Sequence, residues 1–168
     1  IVLQLREHAM KVSSDVMSTQ LQTGARNVAG NPLVRDGVQL LPNLTRVVGR
    51  SQHLYFYYEV YDPALADTSA DLRTSVAFYR GGVKVFETPV VERTAIDQPR
   101  RGAATFRLEV PASQFPPGTY TSQINVIDGI AQRVAFPRLT FTVRGRWPEG
   151  QPGGPRKDGG GACGAGLA

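Results

Sequence analysis

A run of nine residues that decides the fold reads His53-Leu-Tyr-Phe-Tyr-Tyr-Glu-Val-Tyr61. Apolar side chains recur at every second position, so one face carries Leu54, Phe56, Tyr58 and Val60. Successive side chains of a β-strand point to opposite sides, and this period of two therefore predicts a strand with one face in the core. Asp62-Pro63 ends the strand, because proline has no N–H to donate to a sheet.

The same alternation recurs along the rest of the chain. It predicts further strands at residues 72–80, 83–88, 105–110, 119–127 and 132–143, with shorter ones within 10–17 and 33–48. Gly81-Gly82 and Asp128-Gly129 predict tight hairpin turns, since such turns need positive φ. Seven to nine closely spaced strands without a convincing helix predict an all-β fold, namely an antiparallel immunoglobulin-like or fibronectin type III-like β-sandwich. A closed barrel is the alternative.

One short motif supports the immunoglobulin-like version of this prediction. Pro116-Pro-Gly-Thr-Tyr120 precedes a predicted strand near the end of the domain, as the tyrosine of a tyrosine corner does. The disulfide that accompanies the corner in antibody domains cannot form within this chain, because Cys163 is its single cysteine.

The predicted strands divide the 168 residues into three parts. Residues 1–30 are expected to be an N-terminal connector with an entering strand, and residues 31–144 a β-sandwich domain. Residues 145–168 contain nine glycines and three prolines. Such a segment buries too little apolar area to offset its ordering entropy, so we expect a disordered Gly/Pro-rich tail.

Composition excludes several classes of function. Nineteen Lys and Arg residues face 14 Asp and Glu residues, a net charge of +5, but the arginines are scattered and form no basic stripe. We therefore expect no nucleic-acid partner. No run of about 18 apolar residues is present, and thus no direct membrane span is expected.

The chemistry-bearing residues predict no enzyme. Only His8 and His53 could serve a nucleophile as base, and no Gly-x-Ser-x-Gly elbow is present. Nothing in the sequence brings a pair of carboxylates together, and the candidates considered are Glu59, Asp62, Asp67, Asp71, Asp97 and Asp128. We expect no catalytic residue, no metal and no cofactor. The alternative to the absence of a metal site is a calcium site built from loop aspartates.

One strand face is a candidate binding surface. Tyr55, Tyr57 and Tyr61 lie opposite the predicted core face of residues 53–61. Amphipathic rings on a sheet face can stack on sugars or anchor a partner protein. Alternatively, a second sheet or a loop covers the rings, or they pack against the stems of cross-strand arginines.

Three stretches together resemble a known family: residues 31–48, His53–Pro63, and Pro117–Asp128 with Ala135-Phe-Pro-Arg138 after it. They are similar to the C-terminal region of the von Willebrand factor type A-related proteins of Acidobacteria, over roughly residues 10–144. Lys11-Val-Ser-Ser14 resembles the strand that enters that region. The resemblance implies a secreted or cell-envelope protein with a C-terminal β-sandwich and carries over no catalytic residue.

Together these observations predict a non-enzymatic structural or protein-interaction module of a larger exported protein. Its partners would be other domains of the parent protein or an envelope protein. The alternative is a carbohydrate-binding module that holds a polysaccharide on Tyr55, Tyr57 and Tyr61.

Overall fold

The computed structural model describes residues 10–24, 31–35, 37–97 and 102–145, and it confirms the β-sandwich. Thirteen strands in the described residues form two sheets, and side chains from both sheets make one apolar core. The only short helical element described is a 3₁₀ turn at Ala112–Gln114. None of the described residues forms a helix long and apolar enough to cross a bilayer.

Sheet I contains six strands. Five of them follow the pairing order β1-β6-β2-β4-β3, and the sixth, β10, also pairs with β6. Its pairings are antiparallel. The strands are β1 (Lys11–Val12), β2 (Val16–Thr23), β3 (Val34–Arg35), β4 (Val38–Pro42), β6 (His53–Tyr61) and β10 (Ala103–Pro111).

Sheet II contains seven strands, in the order β5-β13-β11-β7-β8; β9 also pairs with β7, and β12 with β11. One pairing is parallel, that of β5 with β13. The strands are β5 (Val47–Gly49), β7 (Leu72–Arg80), β8 (Val83–Glu87), β9 (Val91–Arg93), β11 (Gly118–Asp128), β12 (Arg133–Ala135) and β13 (Arg138–Arg144).

The core lies between the sheets and confirms the predicted inner faces. Leu54, Phe56, Tyr58 and Val60 of β6 are all fully buried. Phe56 meets Phe78 of sheet II edge to face, with ring centroids 5.7 Å apart, and Phe78 also packs on Phe115 at 4.8 Å. Aromatic pairs at such distances add to the stabilisation from area burial alone. The period of two thus selected the right face of the central strand.

The tyrosine corner is confirmed by its hydrogen bond. Tyr120 is 1% exposed, and its hydroxyl donates to the carbonyl oxygen of Pro116 at 2.7 Å. Two residues further on, where antibody domains carry the second cysteine of the disulfide, the chain has buried Ser122. Its hydroxyl donates to the carbonyl of Leu139 on β13. Because β11 and β13 both belong to sheet II, this bond lies within one sheet, and packing of the apolar core holds the two sheets together without a disulfide.

Two hairpin predictions have clear outcomes. Gly81 and Gly82 adopt φ values of +56° and +86° between β7 and β8, as the predicted tight turn requires. Asp128-Gly129 also lies at a hairpin, because β11 and β12 pair antiparallel, but the connection is the four-residue loop 129–132, and the residue with positive φ is Gln132 at +54°. Pro137 lies between β12 and β13, where its carbonyl accepts from Ile124 and its missing N–H interrupts no ladder.

The structure differs from the sequence prediction in strand number and extent. Five of the thirteen strands have only two or three residues, too short to show a period of two: β1, β3, β5, β9 and β12. β2 lies between β6 and β4 and contributes buried Met17, so residues 16–23 are an integral part of sheet I. The predicted tail at 146–168, with Trp147 and Cys163, lies outside the described residues.

Candidate functional site

The three tyrosines chosen from the sequence lie on the predicted outer face of β6 but differ in exposure. Tyr57 is 7% exposed, whereas Tyr55 and Tyr61 are half-buried. Between them, Glu59 is 2% exposed. The rings therefore do not form one open aromatic surface, which flat stacking of a sugar chain would require.

Two of the tyrosine hydroxyls hold the buried carboxylate of Glu59. Tyr57 donates to Oε1 at 2.7 Å, and Tyr61 donates to Oε2 at 2.6 Å. The Ser13 hydroxyl accepts the backbone N–H of Glu59 at 2.9 Å. Hydrogen bonds to a charged acceptor are among the stronger ones in proteins, so this cluster fixes the outer face of β6 rather than leaving its hydroxyls open to a ligand.

The hairpin of β3 and β4 lies against Tyr57. Leu33, Val38 and Leu40 line a crevice with Tyr57 and Arg107 that holds only about 40 Å³. Arg35 of the hairpin forms a 2.6 Å ion pair with Asp97, which also accepts the backbone N–H of Thr105 on β10. Burial opposes ionisation of Asp97, but these two hydrogen bonds outweigh it and lower its pKa.

Tyr55 lies between Arg107 and His53. The guanidinium of Arg107 lies 5.7 Å from its ring centroid, and the His53 ring stacks on it at 6.3 Å. Burial and the nearby carboxylate of Glu109 raise the pKa of Tyr55. Packing against a cross-strand arginine is the alternative that the sequence left open for this face.

Three of the carboxylates considered for catalysis lie near one another: Arg133 donates to the carbonyl of Asp62 and to the carboxylate of Asp128, and Gly129 donates to the carbonyl of Asp71. Among the described residues, no group of three or more His, Cys, Asp or Glu side chains is placed to hold a metal ion. The most buried of the loop aspartates is Asp128, whose Oδ2 accepts from Ala64 N–H and Arg133 and whose Oδ1 accepts from Ala131 N–H. Burial raises its pKa, but these donors outweigh burial and the pKa is lowered. Asp128 thus joins the loop after β6 to the β11–β12 connection and to β12 as a structural anion.

A second surface, which sequence reasoning missed, lies beside β8. A groove of about 310 Å³ opens there, and we call it the β8 groove; its lining includes Arg80, Val85, Phe86, Phe115, Pro116 and Tyr120. Phe115 and Tyr120 are buried at its base, with ring centroids 5.2 Å apart. An apolar concavity of this size with a few polar groups is typical of binding sites.

The sequence contained one signal for this groove. Residues 83–87 read Val-Lys-Val-Phe-Glu, so strict alternation breaks at Val85-Phe86. A break of this kind indicates a β-bulge, and β8 has one: Phe86 pairs with Phe78 and Lys84 with Tyr79, which leaves Val85 without a partner on β7. Two consecutive side chains therefore line the same groove.

Exposed apolar side chains also concentrate on sheet II. Ten large hydrophobic residues are exposed in the described part of the chain, and eight of them lie on strands of sheet II or in the loops between those strands. They are Val83, Val85, Val90, Val91, Ile127, Ile130, Val134 and Phe136. Ile127 and Val134 are cross-strand partners, so part of this set is contiguous.

Comparison with known proteins gives no family. No family model and no curated protein matches the chain. Among solved structures, it is similar to an immunoglobulin-like protein of Pseudomonas aeruginosa (13% identity, 79% of this chain and 98% of that chain, TM-score 0.37). It is also similar to the PmoD soluble domain of a Methylocystis species (9% identity, 81% and 97%, TM-score 0.38).

A third similarity is to a β-glucosidase of Listeria innocua in complex with glucose (12% identity, TM-score 0.40). The matched region covers 60% of this chain, and the chain spans only 15% of that enzyme's length. At such TM-scores, none of these similarities assigns a function to the chain.

Proposed function

We propose that this β-sandwich is a non-enzymatic protein-interaction module of a larger exported bacterial protein, of the von Willebrand factor type A-related kind. Its partners would be other domains of the parent protein or another protein of the cell envelope. The observation that carries the proposal is the concentration of exposed apolar side chains on sheet II. Single exposed apolar residues are ordinary, but contiguous ones mark surfaces that a partner covers, and Ile127 and Val134 are cross-strand neighbours.

Two further features support a binding role for sheet II. Phe136 and Val134, two residues apart, are 52% and 55% exposed, and Val134 pairs with Ile127. Exposed aromatic and branched side chains of this kind form the central contacts of protein interfaces. On sheet I, by contrast, the tyrosine hydroxyls of Tyr57 and Tyr61 are engaged with Glu59.

The test compares two classes of ligand on the same 168-residue chain. We would screen the chain against a display library of random peptides about twelve residues long and against an array of polysaccharides. Enriched peptides without glycan binding support the protein-interaction module. Retention on a polysaccharide that is lost on Tyr55→Ala and Tyr61→Ala would overturn it in favour of the carbohydrate-binding alternative.

A further control separates binding from catalysis. Incubation with chromogenic glycoside and ester substrates should give turnover equal to buffer alone. Turnover that Asp128→Asn or Glu59→Gln abolishes would contradict the non-enzymatic part of the proposal.

A further inference from the structure

The β8 strand has one edge that no strand covers in the described residues. β8 is the last strand in the order of sheet II and pairs with β7 alone. Its other edge presents backbone N–H and C=O groups to solvent. An exposed edge of this kind is a template for pairing with another extended chain.

The outermost strand of sheet I shows how an edge is protected, and β8 is protected less. On β10, the N–H of Thr105 is bonded to Asp97, and exposed Arg107 and Glu109 place charges along the strand. β8 also carries two charges, Lys84 and Glu87, but they pair with each other at 2.8 Å, and Glu87 accepts a hydrogen bond from Ser75 of β7. The exposed side chains of β8 that carry no charge are Val83 and Val85, at 66% and 49%. Natural proteins usually place lysine or another charge at such positions to prevent pairing.

The bulge in β8 joins this edge to the β8 groove. The unpaired residue of the bulge, Val85, lies in the groove wall beside Phe86. Bulges often protect an edge by twisting it, but here the extra residue is apolar and extends the groove. A strand laid along β8 would point alternate side chains toward the core side of the sheet, and one of them would enter the groove.

A cation stands at the rim of the groove. Arg80 is exposed, lies 5.8 Å from the ring centroid of Tyr120 and donates to the carbonyl of Pro117 at 3.2 Å. Among the described residues, no carboxylate forms an ion pair with it. An arginine held over an aromatic ring keeps donors available for a carboxylate. The chain's net charge of +5 also favours an acidic partner.

We infer that an extended segment of a partner polypeptide adds to sheet II as a strand along β8. It places one large apolar side chain in the β8 groove and one carboxylate against Arg80. Main-chain hydrogen bonds supply affinity in this mode of recognition, and the pocket and the charge supply specificity. The inference rests on the proposed function and names the kind of partner that the module binds.

The experiment uses peptides enriched by the full chain from the twelve-residue library, measured by fluorescence anisotropy. We expect an apolar residue and an acidic residue at alternate positions of the enriched sequences. Val83→Lys with Val85→Lys should weaken binding by about tenfold or more, since the charges obstruct pairing and fill the groove rim. Arg80→Gln should weaken binding by about tenfold, and only for peptides that carry the acid.

Matched controls keep these results interpretable. Leu65→Lys changes an exposed apolar side chain outside sheet II, and Arg138→Gln removes an exposed arginine of β13; both should bind like the unchanged chain. N-methylation of alternate peptide amides should abolish binding, because it removes strand pairing without changing side chains. All variants are checked by thermal unfolding before use.

The remaining outcomes overturn the inference in different ways. Peptides that bind all β8 variants equally would refute the β8 site and leave the interaction module standing, whereas no enrichment at all would refute the proposed function itself. A concentration-dependent dimer that the double lysine variant abolishes would make a second copy of the chain the occupant. Peptide binding that appears only after removal of residues 146–168 would identify that segment as the occupant.

Discussion

Replacing Asp128 by alanine should be among the most damaging single changes outside the apolar core. The side chain is fully buried and accepts hydrogen bonds from Ala64 and Ala131 N–H groups and from Arg133. Alanine would leave two partly buried backbone donors and a mostly buried guanidinium without their acceptor. Removing one member of a buried charged pair costs about 3–5 kcal/mol, and we expect about 4 kcal/mol here.

Thermal and urea unfolding measure this cost directly. For a chain of this length, about 4 kcal/mol corresponds to a decrease in Tm of roughly 8–16 °C. Asp71→Ala is the matched control, because Asp71 also pairs with an arginine, Arg73, but both side chains are exposed. That pair should contribute less than about 1 kcal/mol. A loss below about 1 kcal/mol for Asp128→Ala would refute the reasoning.

The pH dependence of the same variant gives a second readout. The pKa of Asp128 is lowered in the folded state, so its stabilisation is present above the unfolded value of about 3.9 and is lost as pH falls through the folded value. The unfolding free energy of the unchanged chain should therefore decrease below about pH 4. Asp128→Asn should decrease less steeply over that range, and equal slopes would contradict the assignment.

Three further predictions concern the core, the corner and the turn. Phe56→Ala should lower the unfolding free energy by about 3–5 kcal/mol in urea titrations, because it opens a cavity beside Phe78; a loss below roughly 1 kcal/mol would mean that the ring is not in the core. Tyr120→Phe should cost about 1 kcal/mol by the same assay, since it removes only the hydrogen bond to Pro116, and an unchanged midpoint would speak against that bond. Gly82→Ala should destabilise the β7–β8 turn by about 1 kcal/mol through its φ of +86°, and a stabilised variant in thermal unfolding would contradict this backbone conformation.

The sequence predicts most of the inner faces because they depend on local alternation. The apolar inner-face residues of β6, β7, β10 and β11 recur at alternate positions, so the pattern identified them without knowledge of their partners, although β6, β7 and β10 also bury residues of the opposite face. The turn at Gly81-Gly82 and the tyrosine corner at Tyr120 could also be predicted from the sequence, because each depends on a short local motif.

What the sequence does not predict depends on contacts between distant segments. The alternating pattern predicts that Tyr57 is exposed, yet the hairpin of β3 and β4 covers it. An ion pair between Arg35 of this hairpin and Asp97, distant in sequence, holds the hairpin in place. The sequence around Asp128 predicts an ordinary turn residue. In the structure its carboxylate accepts hydrogen bonds from Ala64, 64 residues upstream, and from Arg133, five residues downstream. The β8 groove needs residues from β7, β8 and the loop before β11, which no local pattern brings together.

The parallel pairing of β5 with β13 has a consequence for the order of folding. Val47 lies opposite Thr142, a separation of 95 residues along the chain, so this side of sheet II forms only after β13 has been synthesised. Contacts of such high sequence separation slow folding to milliseconds or seconds in all-β domains. Until β13 is in place, β11 has an unsatisfied edge, and a nascent chain halted before residue 138 would expose it to other chains.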